Sequence, residues 1–299
     1  AFAGNFAPDL ALAQQYNVLS GGDSPRDYNR MCHGAVDYIW NASNAMADNV
    51  NGLEGVMAYS KGFLMGSSWD SNRIGWSWKR YPGFFDTVWW KGNGSARTIK
   101  HDLGVAPNMI WVFNIKTGNR GRVAYINAGQ TSSEGGLAPA SAAFRIDDTG
   151  TISDGTSIYW NGTDPTSSVF SVGTSNAVND SGDHYIAFLW ANMTGRQKFG
   201  FYEGTGNGGG DTAIDCGFQP RNLVIRVIQN SVNGATYWFD TARDSFNSSD
   251  RRYLNLNTSN GESQPTNLLV QLDGSGFTIK DEQDDINVDS YYYMYWASA

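Results

Sequence analysis

Cleaving a polysaccharide takes two carboxyl groups, one of them held protonated near neutral pH. The chain has many acids for such a pair: Asp86, Asp102, Glu134, Asp147, Asp148, Glu203 and Asp211. They lie in Gly- and Asn-rich stretches, where acidic side chains usually form turns. No spacing singles out two of them. His33, His101 and His184 fall in unrelated contexts, without the spacing of a Ser-His-Asp triad or a His-His-Glu metal set. Asp281, Glu282, Asp284, Asp285 and Asp289 crowd one short stretch and could offer oxygens to calcium. The EF-hand order and its turn glycine are absent, so the stretch reads as a solvated hairpin tip. "GTGNGGGDTAID" lacks the helical pattern that must follow a dinucleotide loop. These residues predict a chain that is not an enzyme and uses no cofactor or metal.

Aromatic side chains carry a different chemistry. Sugar rings lay their C–H faces on indoles, while Asn and Asp bind the hydroxyls; the same aromatics fill sandwich cores equally well. Trp69, Trp89, Trp90, Tyr159 and Trp160 stand near turn signals. Trp160 is the foremost candidate, because Asn161, Gly162, Asp164 and Pro165 make the residues after it a turn. Trp160, Asn161, Tyr159, Trp89, Trp90 and Trp69 form the expected ligand-binding set.

The elements that must hold these residues are short strands. The 299 residues include 35 Gly, 11 Trp, 15 Tyr and 15 Phe, and only 17% are charged. Aromatic stretches broken by Gly and Asn are the all-β signature. A net charge of −8, with no Lys/Arg run, argues against nucleic acid and anionic membranes as partners. No apolar run approaches the ~20 residues of a spanning helix, so no membrane insertion is expected. Cys32 and Cys216 are too few for a disulfide framework and are expected as free thiols. The sequons at Asn41, Asn161 and Asn192 read as chance products of an Asn/Ser/Thr-rich composition. Ala1, which is not an initiator Met, reads as an internal cut or processing site.

The chain also repeats itself. Pro8, Pro107 and Pro220 each precede an apolar strand: "DLALAQQY", "NMIWVFNI" and "RNLVIRVI". Phe63, Phe170 and Phe277 fall at equal intervals, each opening a hairpin with a polar loop. "GNG" occurs at Gly92–Gly94 and at Gly206–Gly208. In the return strands Trp78, Trp190 and Trp296 align, preceded at period two by Trp76, Phe188 and Met294. That face is assigned to the core. The opposite face, with Ser77, Leu189 and Tyr295, is expected to be only partly covered. The predicted architecture is tandem antiparallel β-sandwich units at 1–80, 81–197 and 198–299. The middle unit reads as eight strands, among them "SIYW". The first unit lacks its leading strands, which are expected either from sequence absent ahead of Ala1 or from a neighbouring chain, since an unpaired edge invites strand donation.

Together "NFAPDL", "TVWWKGNGSARTIKHDLGVAP", "SVFSVGTSNAVNDSGDHYIAFLWA", "KFGFYEGTGNG" and "GFQPRNLVIRV" resemble bacteriophage tail-fibre-like and virion structural proteins, common in phages of marine bacteria, with concanavalin/laminin-G-like repeats. The resemblance covers nearly the whole chain. It implies a place on the particle surface, outside the cell, adhesion to a host glycan or protein, contacts with other virion proteins, and assembly as a homo-oligomer, a trimer or higher. It transfers no catalytic residues. Trp89–Trp90 departs from the Thr-Tyr usual in such repeats. A virion decoration or fibre-shaft protein is the second reading, and a polysaccharide depolymerase the third.

Overall fold

The computed structural model describes residues 2–3, 8–15, 26–29, 56–59, 62–64, 73–117, 122–130, 138–145, 157–206, 211–228, 234–244, 252–256, 262–263, 268–280 and 286–299. It is all-β, with antiparallel sheets arranged as sandwiches.

Three pairs of sheets follow one another along the chain. The first contains β1 (Phe2–Ala3), β2 (Leu10–Gln15), β3 (Arg26–Asn29), β4 (Val56–Tyr59), β5 (Gly62–Leu64) and β6 (Arg73–Trp78). Its larger sheet runs β3-β2-β6 and its smaller one β1-β5-β4. The middle pair contains β7 (Phe85–Lys91), β8 (Arg97–Lys100), β9 (Met109–Asn114), β10 (Val123–Ile126), β11 (Phe144–Arg145), β12 (Val169–Val172) and β13 (His184–Trp190). Its sheets run β11-β10-β9-β13-β7 and β12-β8. The last contains β14 (Gln197–Glu203), β15 (Thr212–Asp215), β16 (Asn222–Val227), β17 (Thr236–Asp240), β18 (Leu254–Asn255), β19 (Val270–Leu272), β20 (Gly276–Ile279) and β21 (Tyr292–Ser298). Its large sheet, β14-β21-β16-β17-β18, matches the middle large sheet strand for strand, and its smaller one, β15-β20-β19, adds β19 to the pair equivalent to β8-β12.

The sequence markers map onto this order. Pro8, Pro107 and Pro220 are buried just ahead of β2, β9 and β16. The residue after each donates its N–H to the end of the return strand: Asp9 to Trp78 O (2.7 Å), Asn108 to Trp190 O and Arg221 to Ser298 O (both 2.8 Å). Phe63, Phe170 and Phe277 pair with Phe2, Ile99 and Ile214. Phe170 and Phe277 are buried inside their sandwiches. Only the backbone of Phe63 is described.

Two readings of the return strand need correction. The face carrying Leu189 and Ala187, or Ala297 and Tyr295, is fully buried. It is the interior of the sandwich, packed on Phe170 and Val172 or on Phe277 and Ile279. The Trp-bearing face is also buried, but between sheet pairs. Trp78, Trp190 and Trp296 meet with ring centroids 5.9, 5.7 and 5.4 Å apart. One apolar cluster gathers Leu10 and Leu12 from the first large sheet, Trp111 and Phe188 from the second, and Val224 and Trp238 from the third. The three large sheets therefore share an aromatic hub. Strands covered on both faces read as near-continuous apolar runs, as β9 and β13 do.

The second correction is one of register. Phe85 pairs with Trp190, and Gln197, which follows an equivalent turn, pairs with Ser298. The turns are Tyr81–Phe85 and Met193–Gln197, each closed by the same backbone bridge, with left-handed Gly83 and Gly195 at φ 75° and 71°. Trp296 thus occupies the slot of Phe188, not that of Trp190. The counterpart of Gly92-Asn93-Gly94 is Gly204-Thr205-Gly206, two residues before the repeated "GNG". A two-residue slip leaves every side chain on the same face, which is why alternation alone did not reveal it. A third difference is "SIYW", expected as a strand, which forms a turn instead. Asn161 N–H donates to Ser157 O (2.9 Å), and Asn161 and Gly162 adopt left-handed φ of 53° and 59°.

Candidate functional site

The expected ligand-binding residues are not brought together. Trp160 is 1% exposed. Its indole N–H donates to Ala142 O (2.8 Å), and its ring stands edge-on to Tyr125, 5.8 Å away. It is a core residue, and a sugar cannot reach it. The turn after it holds, with Asn161 at the surface and Tyr159 half-buried against the core. Trp90 is buried too. It stacks on Tyr185 at 5.5 Å and donates to Val178 O (3.1 Å). Trp69 lies outside the described residues.

Trp89 differs from its neighbour because β7 is the edge strand of the middle large sheet. Successive residues of a strand face opposite ways, so Trp90 enters the sandwich while Trp89 turns toward the hub side, beyond the hub's rim. There it is 46% exposed, edge-on to the half-buried His184 at 5.3 Å. An indole so placed can take the apolar face of a ring ligand, and His184 adds a polar ring nitrogen beside it.

Of the described candidate acids, Asp86 and Asp211 have structural partners, while Asp102 and Glu203 are exposed. Asp86 accepts the N–H of Thr87 and of Asp102, both at 2.8 Å, tying β7 to the loop after β8. Asp211 pairs with Lys280. Glu203 is exposed at the end of β14. Glu134, Asp147 and Asp148, like His33 and the acids from Asp281 to Asp285, lie outside the described residues. Among the described residues no group of three or more His, Cys, Asp or Glu side chains is placed to hold a metal.

Four described titratable groups are shifted chiefly by burial: His101, Cys216, and Tyr125 and Tyr295, whose hydroxyls are pushed up. His101 donates from Nε2 to Thr166 O (3.2 Å) and accepts the Leu103 N–H at Nδ1 (3.3 Å). Nδ1 as acceptor leaves the proton on Nε2, the neutral tautomer. Burial, opposed by the Thr166 carbonyl and by Asp86 and Asp102, holds its pKa below the usual 6.5. Burial also pushes the Cys216 thiol up to about 11, so it stays protonated and unreactive at neutral pH.

One concavity escaped the sequence reading. A cleft of about 790 Å³ opens beside β6, lined by Trp76, Trp78, Tyr81, Phe84, Met193 and Arg196. Lys79, Arg80, Asn222 and the last two residues also border it. Tyr81, 59% exposed, stands at its mouth. Trp76 donates its indole N–H across it to Asn222 Oδ1 (2.9 Å), linking the first and last large sheets. No single stretch of sequence marks it, because its walls come from β6, from the residues around the two turns and from the end of β21.

No curated protein matches the chain. Residues 70–299, which run from just before β6 to the end and span well over half the chain, match the model of a domain of unknown function, DUF7483. The chain belongs to the DUF7483 family.

Proposed function

We propose that the chain is a non-enzymatic surface component of a bacteriophage tail or fibre, which uses a rigid β scaffold to hold aromatic side chains against a host-surface glycan. The scaffold consists of three related units divided near residues 80 and 197. The observation that carries the reading is Trp89. The large aromatics of the described residues go almost entirely to the hub and the sandwich interiors, yet this indole stands on a sheet edge beside His184. A single aromatic platform binds a sugar weakly. Copies arrayed on a particle, in a trimer or higher homo-oligomer, multiply such contacts. The structural engagement of Asp86 also favours binding over turnover.

The test is retention of the isolated protein on a glycan array and on host-cell envelope. Trp89→Ala should cut retention about tenfold, the equivalent of ~1.4 kcal/mol, without changing thermal stability. No retention by any host component, or equal retention by the variant, overturns the reading. Release of reducing sugar from host polysaccharide would move it to a depolymerase. The second reading is a decoration or shaft protein that joins subunits; among the described residues β6 has a neighbouring strand on one side only.

A further inference from the structure

The sheet face that carries Trp89 also carries charge. Lys91, two residues further along β7, projects to the same side as Trp89 and is exposed. β13 sets His184 directly opposite Lys91 and Ile186 opposite Trp89. His184 therefore belongs to this face as well, edge-on to the indole at 5.3 Å. Two more cations close the same end of the sheet. The exposed Lys116 donates its ammonium to Gly182 O (2.8 Å), and the Arg97 guanidinium donates to the carbonyl of Lys91. The neighbouring acids are engaged in their own turns. Asp183 accepts from Asn114 Nδ2 and Thr117 Oγ1, both at 2.7 Å, and Asp180 accepts the Ser181 N–H at 2.9 Å. On a chain of net charge −8, two lysines, an arginine and an imidazole thus gather at the end of the sheet where the indole is exposed.

The last sheet pair supplies the contrast. β14 repeats β7 residue for residue, so Phe201 stands where Trp89 does and Glu203 where Lys91 does. Glu203 pairs with Tyr292 as Lys91 pairs with His184. Thr212, opposite Ile279, holds the place of Arg97, opposite Val172. Phe201 is partly buried against the hub, 6.3 Å from Tyr292. One copy of the scaffold therefore carries two packed aromatics and an acid, and the other an exposed indole with cations. The positive charge belongs to the Trp89 face and not to the fold.

Given the glycan reading above, on which this rests, we infer that the sugar taken at Trp89 is an acidic one. A pyranose lays a C–H face on the indole, and an anionic group on that ring, a carboxylate or a sulfate ester, is held by Lys91 and His184. Residues two apart on a strand are about 6.6 Å apart, the span of a pyranose with one substituent, so ring and anion are reached together. The Lys91 ammonium bonds an anion more strongly than it bonds a hydroxyl, which favours an acidic ring over a neutral one. The imidazole donates an N–H in its neutral form too.

The probes are array glycans in matched pairs, including polygalacturonate against its carboxyl-reduced form and dextran sulfate against dextran, each offered to the full chain. Among the pairs retained, the acidic member should bind about tenfold more tightly than the neutral one. Which pairs do so distinguishes carboxylate from sulfate. In 1 M salt, where screening acts within about 3 Å, the gap should narrow. Lys91→Met should reduce the gap severalfold, and Lys91→Glu should remove it, with binding of the neutral members and the melting temperature unchanged. Trp89→Ala should weaken both members alike. Neutral members bound as tightly as acidic ones, a gap that survives Lys91→Glu, or an equal loss from Lys79→Glu at an exposed lysine beside β6 would overturn the inference and leave the glycan reading standing. Retention of no glycan at all would overturn both.

Discussion

The middle and last sheet pairs share a strand order but divide their similarity unevenly between their two faces. Inside each sandwich the details coincide. Trp90 stacks on Tyr185 at 5.5 Å and Tyr202 on Tyr293 at 5.2 Å. Trp90 donates to Val178 O, and Tyr202 to Ile286 O. The Tyr185 hydroxyl accepts the N–H of Asp180, and that of Tyr293 the N–H of Val288. Asn179 and Asn287 each accept the N–H at the centre of the glycine turn. On the hub side the correspondence fails: Phe85, Phe188 and Trp190 face Gln197, Trp296 and Ser298. A sandwich interior is closed by its own two sheets, so one solution serves twice. A hub is filled jointly by three faces, and a large side chain from one must be matched by a smaller one from another.

The comparison breaks most visibly at its least similar slot. Trp190 is fully buried against Trp78, Trp111 and Trp296, so Trp190→Ala should cost about 3–5 kcal/mol in chemical denaturation. Ser298→Ala, at the matching slot, should stay within about 0.5 kcal/mol. Equal costs would mean that the hub does not distinguish the two positions. Trp190→Phe should fall below about 1.5 kcal/mol, because the Trp190 indole N–H has no acceptor among the described residues.

Gly92 and Gly204 test the similar side. A β-carbon at either would lie 2.0 or 2.1 Å from the carbonyl oxygen of Asp180 or Val288. Backbone cannot yield cheaply there, so each Gly→Ala change should cost about 1–3 kcal/mol, and the two values should agree. Unequal melting shifts would separate the two turns. Next come Asn179→Ala and Asn287→Ala, which remove the acceptor of a part-buried turn amide at about 1 kcal/mol each. Asn179 should cost the more of the two, because its side-chain amide also donates to Ser95 O and Gly173 O.

The smallest effect belongs to His101, whose position in the last sheet pair is held by Cys216: their N–H groups donate to Ser168 O and Ser275 O. Its folded pKa lies below 6.5, so the unfolded chain binds its proton more readily. Its contribution to stability is present above about pH 6.5 and is lost as pH falls below that value. His101→Gln should flatten this acid-side slope in a pH series of denaturation curves. An unchanged slope would assign the dependence to other groups.

Much of this was legible in the residues. The prolines, the equally spaced phenylalanines and the period-two strands located the sheets, because each marks a local constraint: a strand entry, a hairpin, a face. The alternation in β13 also identified the Trp-bearing face as buried. It could not reveal what covers that face, since Trp190 inside a sandwich and Trp190 between sheets demand the same apolar side chain. The binding set fared worse for the same reason. Trp160 and Trp89 are equally aromatic and equally close to turn signals, and only the position of β7 at a sheet edge separates the exposed indole from the buried one. The cleft beside β6 was invisible residue by residue, because Trp76, Tyr81, Met193, Asn222 and Ser298 border it from segments far apart in the sequence.

The central claim is that three sheets close on one hub of indoles, and a double-mutant cycle between Trp78 and Trp296 tests it most directly. These residues come from opposite ends of the chain and stack at 5.7 Å. Trp78→Leu, Trp296→Leu and the double variant should unfold in single transitions and show a coupling energy of about 0.5–3 kcal/mol. Additive losses, with separate unfolding of the first and last sheets, would contradict the shared hub.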